Sequence, residues 1–117
     1  MIIALIGLLI GVILGLRIPI QYPAAFSLYI SVAILAALDS VFGAIRSNLE
    51  NKFDTEIFVS GFFGNAILAG ILAYIGDRIG VPLYYAAIFA FGNRLFQNFA
   101  IIRRHLVEGR KSKSRTE

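Results

Sequence analysis

Four apolar runs separated by short polar breaks constrain this chain more than any other feature. They occupy residues 2–16, 24–45, 57–75 and 83–102. Their lengths lie near the ~20 residues that a helix needs to cross ~30 Å of hydrocarbon. The first run is short, and it extends to Ile20 if Arg17 snorkels and Pro19 ends the helix. It has neither a basic leading region nor a small-residue cleavage site, so it reads as an uncleaved span rather than a signal peptide. The connections IPIQYP, RSNLENKFDTE and GDRIGVP leave no room for a soluble domain. With 58% hydrophobic residues, 15% charged residues and a mean hydropathy of +0.79, a soluble fold of 117 residues is disfavoured. The expected fold is all-α: a polytopic membrane protein with four transmembrane helices in one domain over residues 1–102, followed by a basic tail at 103–117.

Orientation follows from the Lys and Arg residues in the short loops. The tail holds six Lys/Arg against two Glu, whereas residues 1–102 hold five against five. With four spans, the N-terminus, middle loop and tail share a side carrying eight basic residues, and the opposite side carries Arg17 and Arg78. Both termini are therefore expected in the cytoplasm. Tyr22, Tyr29, Tyr74, Tyr84 and Tyr85 all fall toward the opposite ends of the spans, where a phenol sits well at headgroup level.

This topology brings the polar residues of the spans to one depth. At ~1.5 Å per helical residue, Asp39 lies ~10 Å from Arg46, Asn65 ~12 Å from Ile57, and Arg94 ~13 Å from Arg103. Asp39 and Arg94 are the two charged residues inside the spans and have opposite sign, so the expectation is that they pair. Arg94, Gln97 and Asn98 are spaced to share one helix face, and Asp39, Gly43 and Arg46 another, with Gly43 leaving room for a long side chain. An intramembrane polar layer of Asp39, Asn65, Arg94, Gln97 and Asn98 admits two readings. It is a clasp fixing helix register, or it belongs to an ion, proton or substrate path. A continuous pore through one copy is not expected, because the outer half of each span is apolar apart from Ser27, Ser31 and tyrosines.

Gly7, Gly11 and Gly15 repeat every four residues and form a ridge suited to close helix contact, within the fold or between copies. The second span has its own small-residue stripe of Ala33, Ala36, Ala37, Ser40 and Ala44, which makes these two helices the expected close pair. In the middle loop, Ile45, Leu49, Lys52 and Phe53 recur at helical spacing, as an in-plane amphipathic turn or a solvated loop. The tail reads as disordered, with Arg103, Arg104, Arg110, Lys111, Lys113 and Arg115 placed to contact anionic lipid headgroups. Nothing aromatic interleaves these charges, so nucleic acid is not an expected partner.

Enzymatic activity is not expected: the sequence has no Ser/His/Asp set, no HExxH, no phosphate-cradling glycine loop and no metal-ligand spacing. No catalytic residue, metal or cofactor is assigned. Zero cysteines exclude disulfides and thiolate chemistry.

The blocks LAALDSVFGAIR (residues 35–46), FDTEIFVSGFFGNA (53–66) and FGNRLFQNFAIIRR (91–104) resemble the small basic protein family of bacteria. That resemblance implies a multi-pass protein of the bacterial plasma membrane, of unknown function and often encoded near division and envelope genes. It supplies no activity and no site residues. The function expected is a non-enzymatic scaffold or adaptor that self-associates or binds other membrane proteins. The competing expectation is a small oligomeric channel or transporter using Asp39 and Arg94.

Overall fold

The computed structural model describes residues 2–19, 21 and 23–116, with the side chain of residue 116 left aside. Ile20, Tyr22 and Glu117, which entered the expectations for the first span, the tyrosine belt and the tail, lie outside the described residues. Four α-helices account for nearly all of the described chain: α1 (Ile2–Arg17), α2 (Ser27–Leu49), α3 (Thr55–Ile79) and α4 (Tyr84–Thr116), with a 3-10 turn at Ala24–Phe26. No strand occurs among the described residues.

Local chemistry explains where α2 and α3 stop and start. Asn51 ends α2 with φ 59°, the left-handed conformation that Asn tolerates. Lys52 N–H then bonds the Ser47 carbonyl at 2.8 Å and Asn51 N–H the Asn48 carbonyl at 3.1 Å, the two bonds of a Schellman motif. Asp54 starts α3 by accepting a hydrogen bond from Ile57 N–H at 3.1 Å, an N-cap that typically contributes about 1 kcal/mol. At the far end Gly80 adopts φ 74°, and Val81 N–H reaches back to the Gly76 carbonyl at 3.0 Å. Gly76 is required there, since a Cβ would run into the Val81 carbonyl oxygen and lie 2.9 Å from Leu83 N.

The middle segment is therefore not an in-plane amphipathic turn. Ile45 and Leu49 belong to the last turns of α2, and the reversal is confined to residues 50–54. The tail is likewise helical rather than disordered, because α4 runs on to Thr116. The helix already formed upstream removes the nucleation cost, Lys, Arg, Leu and Glu propagate a helix well, and no proline interrupts the segment. Lys113 and Arg115 occupy the last turn, where positive charge suits the helix dipole.

α2 is the central element: α3 runs antiparallel along it, and α4 returns parallel to it. Val32 and Ala36 of α2, Ala69 of α3, and Ala87 and Phe91 of α4 form the buried cluster that joins the three. Small side chains let the backbones approach closely, and Phe91 fills the volume that they leave.

α1 stands apart, and the expected α1–α2 pair does not form. None of its residues is buried, and a Cβ built on Gly7, Gly11 or Gly15 would meet nothing within 4 Å. Part of the reason lies in α2, whose Ala36 is enclosed in the α3–α4 core and whose Ala44 is also buried. Between the glycine face of α1 and Phe58, Phe62 and Phe63 of α3 runs an open apolar groove of about 430 Å³.

Two helices, over Ala24–Leu49 and Thr55–Ile79, are long and apolar enough to cross a membrane. α1 is apolar but shorter, and α4 carries Asn93, Arg94, Gln97 and Asn98 in its first half. Only 28% and 11% of the residues in the two apolar stretches are buried, so these helices turn most of their apolar surface outward. A soluble core helix has the opposite pattern.

Candidate functional site: the Asp39–Arg94 layer

The inner face of α4 is the row Ala87, Phe91, Asn98 and Ile102, all buried, and Arg94 falls on that row three residues after Phe91. Facing it on α2 are Asp39, Gly43 and Arg46. α2 and α4 run in the same direction, so the two pairs keep their order; the step from Asp39 to Arg46 rises ~10.5 Å and that from Arg94 to Asn98 ~6 Å, and the long arginine side chains take up the difference.

The deeper rung is Asp39 with Arg94. Nη2 of Arg94 approaches Oδ2 of Asp39 at 3.3 Å, and the two side chains are 54% and 0% exposed. The contact is an ion pair without hydrogen-bond alignment, since neither carboxylate oxygen of Asp39 accepts a hydrogen bond. The adjacent Ser40 Oγ is enclosed and unpartnered as well. The carboxylate is thus the locked member of the pair, and the guanidinium is the member with freedom to move.

The second rung is Arg46 with Asn98. Arg46 Nη1 donates to Asn98 Oδ1 at 3.1 Å, while its Nε donates to Glu50 Oε1 at 3.2 Å one turn along α2. The pair with Glu50 is a partly exposed i,i+4 contact of small energetic weight. The bond to Asn98 crosses between helices and is charge-assisted, so it carries more. Gly43 lies beneath this rung, and a Cβ there would sit 3.6 Å from Asn98 Nδ2, an ordinary contact. The space expected for a long side chain is therefore lined by the Asn98 amide. Phe42 and Phe99 flank the rung, with ring centroids 6.3 Å apart.

Of the expected layer, the structure brings together Asp39, Arg94 and Asn65, which line one cleft, and places Asn98 one rung away against Arg46. Gln97 is not part of it. That side chain is exposed, because a step of one residue from Asn98 rotates it ~100° off the α4 inner row. Arg46 was expected on one face with Asp39 and Gly43 and without a partner, and its bond to Asn98 is the feature that sequence reasoning missed. The available signal was spacing: Asp39 and Arg46 at i,i+7, and Arg94 and Asn98 at i,i+4, on helices of the same direction.

The cleft beside Asp39 has a volume of about 230 Å³ and lies between α2 and α3. Asp39, Asn65 and Arg94 line its inner part, and Lys52 and Asp54 of the 50–54 turn line its outer part. The remaining expected sites lie elsewhere. Gly7, Gly11 and Gly15 border the apolar groove or face outward, and Arg103, Arg104, Arg110, Lys111, Lys113 and Arg115 are exposed on the α4 extension. Among the described residues, no three His, Cys, Asp or Glu side chains gather in a way that would hold a metal ion.

Comparison with known proteins gives a family and no activity. The chain is 59% identical over 73 residues to the "Small basic protein" of Bacillus subtilis, covering 62% of this chain and 60% of that protein. Uncharacterised proteins of Mycobacterium bovis and Mycobacterium tuberculosis are 45% identical over 74 residues, covering 62% of this chain and 61% of theirs. The chain thus spans about three-fifths of the length of these curated relatives. No solved structure matches it. The family model "Protein of unknown function (DUF1290)" matches residues 22–107, which include all of α2 and α3 and both rungs of the polar layer. The chain therefore belongs to this family of small basic proteins of unknown function.

Proposed function

We propose that this protein is a non-enzymatic scaffold or adaptor of the bacterial plasma membrane, with four membrane-spanning helices and both termini in the cytoplasm. It self-associates or binds other membrane proteins, in the division or envelope-assembly setting that the family resemblance implies. The outward-facing apolar surfaces of α2 and α3 support the membrane reading. At ~1.5 Å per residue α1 is ~24 Å long, which suffices when Arg17 snorkels, and α4 at ~50 Å is long enough to cross and project beyond the surface. Arg103 and Arg104 then lie at headgroup level, where each contributes about 1 kcal/mol of attraction to anionic lipid.

The observation that carries the scaffold reading is the isolation of α1: an apolar helix with a glycine ridge, outside the packed bundle. In lipid there is no hydrophobic drive between helices, so a surface that lets backbones approach is what a partner helix uses. The test compares Gly11→Leu with Gly70→Leu by crosslinking and native mass spectrometry. Loss of oligomer or of a membrane partner in Gly11→Leu, with the bundle still folded, is the expected result. An unchanged assembly would leave the ridge facing lipid and remove the reading's main support.

A second reading, an oligomeric channel or transporter, is favoured by the enclosed, hydrogen-bond-free carboxylate at Asp39. Exchanging the charges, Asp39→Arg with Arg94→Asp, separates the two. A clasp recovers stability when both changes are combined, whereas a conducting site loses flux while the fold persists.

A further inference from the structure

We infer that the cleft between α2 and α3 is a one-ended aqueous vestibule, open at the 50–54 turn and closed at the Asp39–Arg94 pair. Its ligand is water, carried into the membrane-spanning part of the protein. The inference rests on the reading that α2, α3 and α4 cross the bilayer, and it goes beyond the scaffold role.

Four observations point to it. Asp39, Ser40, Asn65 and Arg94 give the inner wall of the cleft a polar lining, and both carboxylate oxygens of Asp39 and the Ser40 hydroxyl lie just behind it without a hydrogen bond, so this end of the cleft is polar where a dry, apolar interior would be expected. Arg94 supplies charge at 3.3 Å but no aligned donor, and its half-exposed guanidinium lines the same cleft. A charge at this depth is tolerated when it faces a partner and water rather than lipid. The volume of about 230 Å³ accommodates several waters at ~30 Å³ each. A Cβ on Gly61, on the α3 wall, would meet nothing within 4 Å, so the passage there is open.

Charge balance identifies the ligand as water rather than an ion. The lining holds Asp39 and Asp54 against Arg94 and Lys52, so an added cation or anion would be uncompensated. Beyond the pair, the cluster of Val32, Ala36, Ala69, Ala87 and Phe91 closes the bundle with apolar side chains, which makes the vestibule a dead end. The groove against α1 is the internal contrast. Its walls are Gly7, Gly11, Phe58, Phe62 and their neighbours, and an apolar groove of this kind holds lipid chains, not water.

The chain contains no cysteine, so single-cysteine labelling needs no background removal. Asn65→Cys and Gly61→Cys report the cleft, Ile67→Cys and Ile71→Cys the outer surface of α3, and Asn51→Cys the mouth. Sealed vesicles are treated with a membrane-impermeant methanethiosulfonate on the side from which Asn51→Cys reacts. Thiolates form in water, so Asn65→Cys and Gly61→Cys are expected to react at least about tenfold faster than Ile67→Cys and Ile71→Cys. Adding Gly61→Leu to Asn65→Cys should slow its labelling to the outer-surface rate, because leucine plugs the passage. Cleft positions as slow as the outer ones would overturn the vestibule and leave the spanning helices intact. Fast labelling at all four positions would instead overturn the spanning reading. Labelling of Asn65→Cys from the opposite side would overturn the dead end. Asn65→Cys replaces a side chain by a smaller one and Gly61→Cys enters open space, so both report on the folded protein.

Discussion

The bundle of α2, α3 and α4 and the lone helix α1 are built from similar residues and behave differently. Both are apolar and rich in small side chains. The bundle uses its small residues at Ala36, Ala69 and Ala87 to bring three backbones together, and it adds two polar rungs that hold α2 and α4 in register. α1 packs none of Gly7, Gly11 and Gly15 against a neighbour, and Gly7 and Gly11 face α3 only across an open groove. Small residues thus permit close packing without choosing a partner. A polar rung does choose, because leaving it unmade in a low-dielectric interior is costly.

Breaking the deeper rung should have the largest effect, and the two ways of breaking it should differ. Arg94→Leu strands a fully enclosed carboxylate and should destabilise the bundle by roughly 3–5 kcal/mol, whereas Asp39→Ala leaves a half-exposed guanidinium that can reach water and should cost less. Unfolding titrations in mixed micelles measure both. Equal losses would mean that the asymmetry in burial is energetically unimportant.

Next comes the turn that returns the chain into α4. Gly76→Ala places a methyl group against the backbone of Val81 and Leu83, and it should cost about 1–3 kcal/mol by overpacking. The same titration reads it, and Gly64→Ala, where a Cβ meets nothing within 4 Å, is the matched control. Parity between them would mean that the turn shifts freely to accept the methyl group.

The outer rung should matter less. Asn98→Ala removes the acceptor of Arg46 Nη1, but Arg46 retains Glu50 and is partly exposed, so about 1 kcal/mol is expected. The smallest effect on the bundle is predicted for Gly11→Leu, near zero in the same titration, because a Cβ there meets nothing within 4 Å and the longer side chain enters an open groove outside the bundle. A loss above about 1 kcal/mol would show that α1 does contribute to the stability of the bundle.

A reporter after Thr116 and a label at Asn51 are expected on the cytoplasmic side, with labels at Gln21 and Gly80 outside. An external Asn51 would reverse the orientation argued from the basic residues.

Helix number and the Asp39–Arg94 pairing were legible in the residues. Long apolar runs leave few alternatives to helices, and two opposite charges within them have few other partners there. Tertiary structure alone decided which neighbour each face received. α3 and α4 enclose Ala36 of α2 and leave α1 outside, and the rotation of α4 admits Asn98 while excluding Gln97. The same holds for the helical tail and for Arg46, whose settings depend on a helix already formed and on the parallel register of α2 and α4. Hydropathy reports the medium that a side chain prefers, whereas choosing between two apolar or two amide-bearing faces depends on interhelical distance and rotation, which one-dimensional pattern does not encode.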